Sequence, residues 1–242
     1  MNRRYRIAVG LMGIVMLGMF ALPGMALAEA EIGLDANSAY VWRGLTYNKG
    51  LVLQPWMDVT TPFGLNFNVW ANFDIDDYDD TLEENEFSEV DLTISYSRKV
   101  GPIELSVGAV KYVLTGDADS TGEIYVLASG EIVDGFSAKA GVYYDFDELE
   151  GFYGSLGLCY GRNVFESLLL EGSLTVGMAD SDFSEGGNSG FHEICLAVLA
   201  EYTILEGLTL SGSLSLTDSL DEDVLPDQDV HVFGGVGVSY AF

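Results

Sequence analysis

Leu208-Thr209-Leu210-Ser211-Gly212-Ser213-Leu214-Ser215-Leu216-Thr217 is the stretch on which the fold turns. Leu208, Leu210, Gly212, Leu214 and Leu216 share one parity, and five hydroxyl residues share the other. A period of two is the signature of a strand with one apolar and one polar face. The same alternation fills 64–75, where Leu65, Phe67, Val69, Ala71, Phe73 and Ile75 interleave with Asn66, Asn68, Trp70, Asn72 and Asp74. It recurs through 31–45, 51–62, 90–97, 103–110, 124–132, 136–146, 152–161, 164–177, 191–204 and 230–242, so twelve strands are expected.

The connections alternate between tight and long. Tight ones fall at Pro62-Phe63-Gly64, Lys99-Val100-Gly101-Pro102, Val133-Asp134-Gly135, Gly161-Arg162-Asn163 and Leu205-Glu206-Gly207. Between them lie longer ones rich in Asp, Glu, Ser and Gly, including 76–86, 116–121, 178–190 and 218–229. Short turns at one end and long loops at the other are what outer-membrane barrels show, and an even strand count returns both termini to the periplasmic side. A secreted or periplasmic sandwich would alternate too, but its polar face would carry Lys, Arg and Glu freely. Here that face is Ser, Thr, Asn and Gly with scattered carboxylates. Phe63, Tyr96, Phe136, Tyr160, Tyr202, Tyr240 and Phe242 collect near the tight turns, as an interfacial girdle would. The expected fold is therefore an all-β, transmembrane, antiparallel up-and-down barrel.

Composition sets limits on partners. The 242 residues hold 38 acidic and 10 basic side chains, a net charge of -28, yet 48% are hydrophobic. So acidic a chain repels polyanions, which argues against nucleic acid as a ligand. Arg3, Arg4 and Arg6 precede an uncharged run from Ile7 to Ala28, broken by Pro23-Gly24 and closed by Ala26-Leu27-Ala28 before Glu29. That pattern is a Sec signal peptide over 1–28, with the barrel over 29–242. Its removal takes three arginines and no acids, leaving seven bases against 38 acids.

The final strand, Val236-Gly237-Val238-Ser239-Tyr240-Ala241-Phe242, ends in an aromatic residue with apolar residues at alternate positions before it. It is similar to the signal, here Tyr240 and Phe242, by which the barrel-assembly machinery recognises outer-membrane clients. A narrower likeness covers 37–74. Asn37-Ser38-Ala39-Tyr40-Val41-Trp42-Arg43-Gly44-Leu45-Thr46, then Gln54, Phe63-Gly64-Leu65 and Val69-Trp70-Ala71-Asn72-Phe73-Asp74 resemble the opening strands of the TorF-like porin family. Pro55-Trp56 departs from the small residues expected after the Gln. The resemblance implies an outer-membrane, porin-like protein and brings no assigned substrate.

Register allows the lumen to be read. A hairpin centred on Phe63 opposes Gln54 to Asn72, Trp56 to Trp70, Asp58 to Asn68 and Thr60 to Asn66, close enough for side-chain contact. Two indoles would then share one part of the interior, as an aromatic platform or as simple filling. Inward parity also carries Asp35, Asp74, Glu89, Asp91, Glu104, Glu123, Glu131, Asp145, Glu171, Glu193 and Glu201, with Arg43 and Lys139 as the clear inward cations. Carboxylate rings favour cations in a pore, although such groups can equally pair with Arg43, Lys139 and hydroxyls to plug it. Lys111 has outward parity near the long-loop end, where it can snorkel or sit on a bulge.

The acidic loops, Asp74-Ile75-Asp76-Asp77-Tyr78-Asp79-Asp80 above all, suit weak binding of divalent cations and bridging to lipopolysaccharide. They lack the spacing of a specific calcium loop, so no cofactor or metal site is expected. No enzyme is expected either, since His192 and His231 are the only histidines and read as solvated rim residues, with Asp180 and Asp182 near the first. Cys159 and Cys195 fall on strands separated by a third, about 9.5 Å apart, too far for a disulfide. The resulting expectation is a porin-like channel for small solutes, with a preference for cations where its lumen is acidic. The alternative is a closed structural or adhesive barrel whose acidic loops face the medium.

Overall fold

The computed structural model describes residues 29–76, 85–116 and 119–242. The expected signal peptide and most of the Asp76–Glu86 loop lie outside them. Fourteen strands are formed among these residues: β1 (Glu29–Asn37), β2 (Tyr40–Trp42), β3 (Leu45–Asn48), β4 (Val52–Thr60), β5 (Leu65–Asp74), β6 (Glu86–Val100), β7 (Ile103–Leu114), β8 (Gly122–Val133), β9 (Phe136–Asp145), β10 (Phe152–Phe165), β11 (Leu168–Ala179), β12 (Gly190–Leu205), β13 (Leu208–Ser219) and β14 (Val232–Ala241). Twelve of them close into an antiparallel barrel, β1 pairing with both β4 and β14, while β2 and β3 form a separate hairpin. Closure leaves no unpaired edge, the condition for a sheet to sit in hydrocarbon.

The two faces divide as the alternation requires. Leu210, Leu214 and Leu216 point outward and stay 44–51% exposed, and Leu196, Val198 and Val236 behave alike on neighbouring strands. Large aliphatic side chains left outside a closed barrel are unfavourable in water and favourable against lipid. No helix among the described residues is long and apolar enough to cross a membrane. The seven girdle aromatics are all exposed, and Phe165 joins them at the same end.

Four tight turns fall where glycine places them. At Gly64, φ is +93° and an added Cβ would lie 2.2 Å from the Ser97 carbonyl oxygen, so only glycine fits. The fifth turn is not at Gly161-Arg162-Asn163 but at Glu166-Ser167. Tyr160 pairs with Gly172 and Arg162 with Leu170, and the register breaks only at a bulge beyond Asn163. Gly161 is a strand residue facing the lumen beside Glu171, not a turn residue.

Two other expectations change. The first strand stops at Asn37 instead of running to 45: the chain leaves the wall at Ser38-Ala39, and β2 doubles back on β3 through Arg43 (φ 51°) and Gly44 (φ 82°) in a two-residue turn. Strand β6 runs to Val100, which sets Lys99 opposite Glu104 on the inward parity and adds a third inward cation at the tight-turn rim. Lys111 sits on regular pairing without a bulge, its ammonium donating to Asp147 (2.7 Å) and to the Ser120 carbonyl (3.0 Å).

Candidate functional site

The lumen is built from the inward parity of twelve strands and from three long-loop segments that fold into it. The deepest is the β2–β3 hairpin. Its tip carries Arg43, whose guanidinium donates to Glu123 Oε1 at 2.7 Å and Oε2 at 2.9 Å. The rings of Trp42, Tyr143 and Tyr153 lie 4.1–4.3 Å from its Cζ, with Phe183 at 5.3 Å. A fork-to-fork ion pair inside a box of aromatic faces is among the stronger arrangements open to an arginine. Burial alone would lower the Arg43 pKa, but the hydrogen bonds and charge of Glu123 raise it, so the cation is secure.

Around this latch Glu123, Glu89, Asp74 and Asp145 each have donors, whereas Asp91 Oδ1 is buried without one. Tyr112 donates to Glu123 (2.9 Å), Tyr40 to Glu89 (2.9 Å), and Asn48 and Asn72 to Asp74 (2.7 and 2.9 Å). Burial, and then the Glu89 carboxylate, push the Tyr40 and Tyr47 phenols upward, so both hairpin tyrosines stay protonated. Thr121 and two backbone amides satisfy Asp145. On β12 a bulge opposite Gly177 turns both His192 and Glu193 inward. His192 Nδ1 lies 2.7 Å from Glu193, and Tyr153 donates to the same carboxylate at 2.5 Å. Val224 and Leu225 from the last long loop and Phe183 from the one before it close the packing. An added Cβ at Gly44 would lie 2.8 Å from both Glu193 and Leu225, which measures how tightly the hairpin tip is seated. The long-loop half of the barrel is thus filled.

The tight-turn half is different. A cavity of about 400 Å³ opens there, lined by Glu104, Lys139, Tyr143, Glu171 and a series of hydroxyls including Ser129 and Ser155. Of the residues expected in the lumen, Arg43, Glu123 and Asp91 belong to the filled half, and Glu104, Lys139 and Glu171 line the open one. Glu131 has the same parity but stays at the rim, accepting from the Gly135 amide at 3.3 Å. Gln54 and Asn72 meet as the register requires (3.0 Å), and Asp58 collects Asn66 and Asn68.

The Trp56–Trp70 pairing holds in the backbone, but the indoles find separate partners. Trp56 donates to Asp35 at 2.9 Å over Gly33, while Trp70 packs on Tyr40. The shared aromatic platform is therefore not formed; filling is. His192 departs from its expected place at a solvated rim, being fully buried, and Asp180 caps its own loop through the amides of Asp182 and Phe183. The residues that sequence reasoning missed, Tyr112, Tyr143, Tyr153 and Phe183, become important only because the hairpin descends among them. No spacing announces that descent. Both cysteines are free, and no group of three or more ligands for a metal is found among the described residues.

A closed twelve-stranded antiparallel barrel with an apolar, aromatic-girdled exterior and a polar interior has the architecture of an outer-membrane β-barrel. The chain is a member of the Gcw_chp family, described as bacterial protein of unknown function, which matches residues 26–206. No curated protein matches it. Among solved structures it is similar to the KdgM porin in complex with disordered oligogalacturonate, at 10% identity over 88% of this chain and 99% of that one, TM-score 0.58. The NanC porin (11%, 88% and 98%, 0.55) and the COG4313 outer membrane channel from Pseudomonas putida F1 (10%, 92% and 97%, 0.57) are comparable. At such identities the likeness is one of fold.

Proposed function

We propose that this chain is an outer-membrane, porin-like channel that passes small solutes and prefers cations, held here with its external end shut by the β2–β3 hairpin. The observation that carries the reading is the polar cavity of about 400 Å³ in the periplasmic half, which a purely structural barrel would fill as the other half is filled. Among the described residues, inward carboxylates, now including Glu31 opposite Asp58, far outnumber the inward cations Arg43, Lys99 and Lys139, of which Arg43 is already neutralised by Glu123. An excess of fixed carboxylate in a narrow aqueous path raises the local concentration of cations. The oligogalacturonate of the KdgM complex carries carboxylates, and this lumen has the wrong sign to attract such a chain.

The likeness of residues 37–74 to TorF-like porins supports the same reading. So do the leader-like 1–28 for export and the Tyr240 and Phe242 ending for the barrel-assembly machinery, with lipid and lipopolysaccharide as surroundings. The buried His192, in contact with Glu193, offers no nucleophile or base to solvent, and the reading includes no catalysis and no cofactor. Conductance of the purified barrel in planar bilayers under a tenfold KCl gradient tests the proposal. Stepwise currents whose reversal potential has the sign of K⁺ selectivity are expected, and anion preference would overturn the selectivity. The filled external half favours a second reading, a permanently closed barrel. Silence in the native chain and also in an Arg43→Ala variant would establish it.

A further inference from the structure

Lys139 stands apart from the carboxylates that dominate this lumen. It lies on β9 at the centre of the periplasmic cavity, paired across the sheet with Ser129 of β8 and Gly157 of β10. Glu104, itself opposite Ser129, is two strands away on one side, about 9.5 Å along the wall. Glu171 lines the same cavity from β11, two strands away on the other side and four residues nearer the tight turns, since Lys139 is level with Gly157 and Thr175. Lys99 faces Glu104 from β6. Lys99, Glu104 and Lys139 are therefore level around this wall, positive on β6, negative on β7 and positive on β9, and Glu171 supplies a second carboxylate nearer the tight turns. Neither Lys99 nor Lys139 forms an ion pair with any described residue within 4.0 Å. Glycines at 141 and 157 keep the wall beside Lys139 shallow, and Ser106, Ser129, Ser155, Ser173 and Thr175 supply neutral donors and acceptors.

Elementary electrostatics narrows what such a place can hold. A simple anion drawn to Lys139 must enter past a lumen whose net charge repels it. A simple cation is favoured by the lumen but repelled at Lys139 itself. A molecule carrying both charges a few ångströms apart meets neither penalty, because its carboxylate can face Lys139 while its ammonium faces Glu104 or Glu171. The cavity has room for a solute the size of an amino acid together with water.

We infer that the Lys139 cavity is a binding subsite for small zwitterions of the amino-acid class. The inference rests on the lumen being a solute path, as proposed above, and it names the solute. Saturation-transfer NMR on the whole barrel in detergent, with β-alanine, propionate and ethylamine as probes at equal concentration, reads it directly. β-Alanine is expected to bind about five-fold better than either single-charge probe, the size of one partly screened ion pair. Lys139→Gln should reduce β-alanine to the level of ethylamine, and Glu104→Gln with Glu171→Gln should reduce it to the level of propionate. Heat-modifiable migration on gels confirms that each variant is folded. Equal saturation by propionate and β-alanine, or full binding by Lys139→Gln, would overturn the inference. A barrel that conducts but treats the three probes alike loses the subsite and keeps the channel; one that binds β-alanine without conducting does the reverse.

Discussion

Removing the Arg43 side chain is the sharpest perturbation the structure offers. Arg43 is 9% exposed and its partner Glu123 is 1% exposed, so the pair lies out of water in the closed arrangement. Arg43→Ala leaves the Glu123 carboxylate buried with Tyr112 as its remaining side-chain donor and removes the cation from among four aromatic rings. Breaking one side of a buried pair costs about 3–5 kcal/mol, most of it the stranded charge. If the hairpin swings out, Glu123 regains water, so that whole penalty weighs on the closed state and not on the open one. A shift of about 3–5 kcal/mol is roughly a 10²–10⁴-fold increase in the ratio of open to closed barrel. Single-channel recording in planar bilayers reads the ratio as open probability. The second half of the cycle separates mechanism from general damage: adding Glu123→Gln removes the stranded charge, and the double variant should recover more than half of the closure lost by the single one. A folded Arg43→Ala barrel with the open probability of the native chain would refute the latch. A double variant as open as the single one would refute its electrostatic origin.

Other outcomes follow from particular contacts. Gly64→Ala must place a Cβ 2.2 Å from the Ser97 carbonyl at φ +93°, and should destabilise the barrel by about 2–3 kcal/mol in urea titrations of refolded protein; an unchanged midpoint would contradict the turn geometry. Gly33→Val presses on the Trp56 indole and should shift its fluorescence while disturbing the Asp35 hydrogen bond, whereas an unaltered spectrum would mean the ring has another place to go. Alkylation of the denatured chain without reductant should add two labels, at Cys159 and Cys195, and none would indicate a disulfide. Deleting Phe242 should lower the yield of assembled barrel in cells while leaving refolding in detergent intact, since the recognition signal and the fold are separate uses of that residue. Equal losses in both settings would remove the signal reading.

Much of the wall is legible one residue at a time. Parity alone separates Leu210 and Leu214 from Ser211 and Ser213, because a strand allows only two directions for a side chain. Register followed wherever a glycine turn was tight, which is why Asp58 meets Asn68 and Gln54 meets Asn72. It failed at Gly161, where the glycine serves the lumen and a bulge near Asn163 absorbs the error. Lys99 was missed for the same kind of reason. Its parity was readable, but whether the strand reached that far depended on pairing with β7.

The sequence by itself determined a closed, membrane-facing barrel, because alternation, turn lengths and girdle aromatics are local properties that each strand carries independently. Tertiary structure alone decided that Tyr40-Val41-Trp42-Arg43-Gly44 leaves the wall and turns into the lumen. In sequence those residues alternate as well as any strand does. Their destination depends on Glu123, Tyr143, Tyr153 and Phe183, which lie 80 or more residues away and become neighbours of Arg43 only once the barrel has closed. The division of the lumen into a filled external half and an open periplasmic half follows from that descent together with Phe183, Val224 and Leu225, which the last two long loops pack beside it.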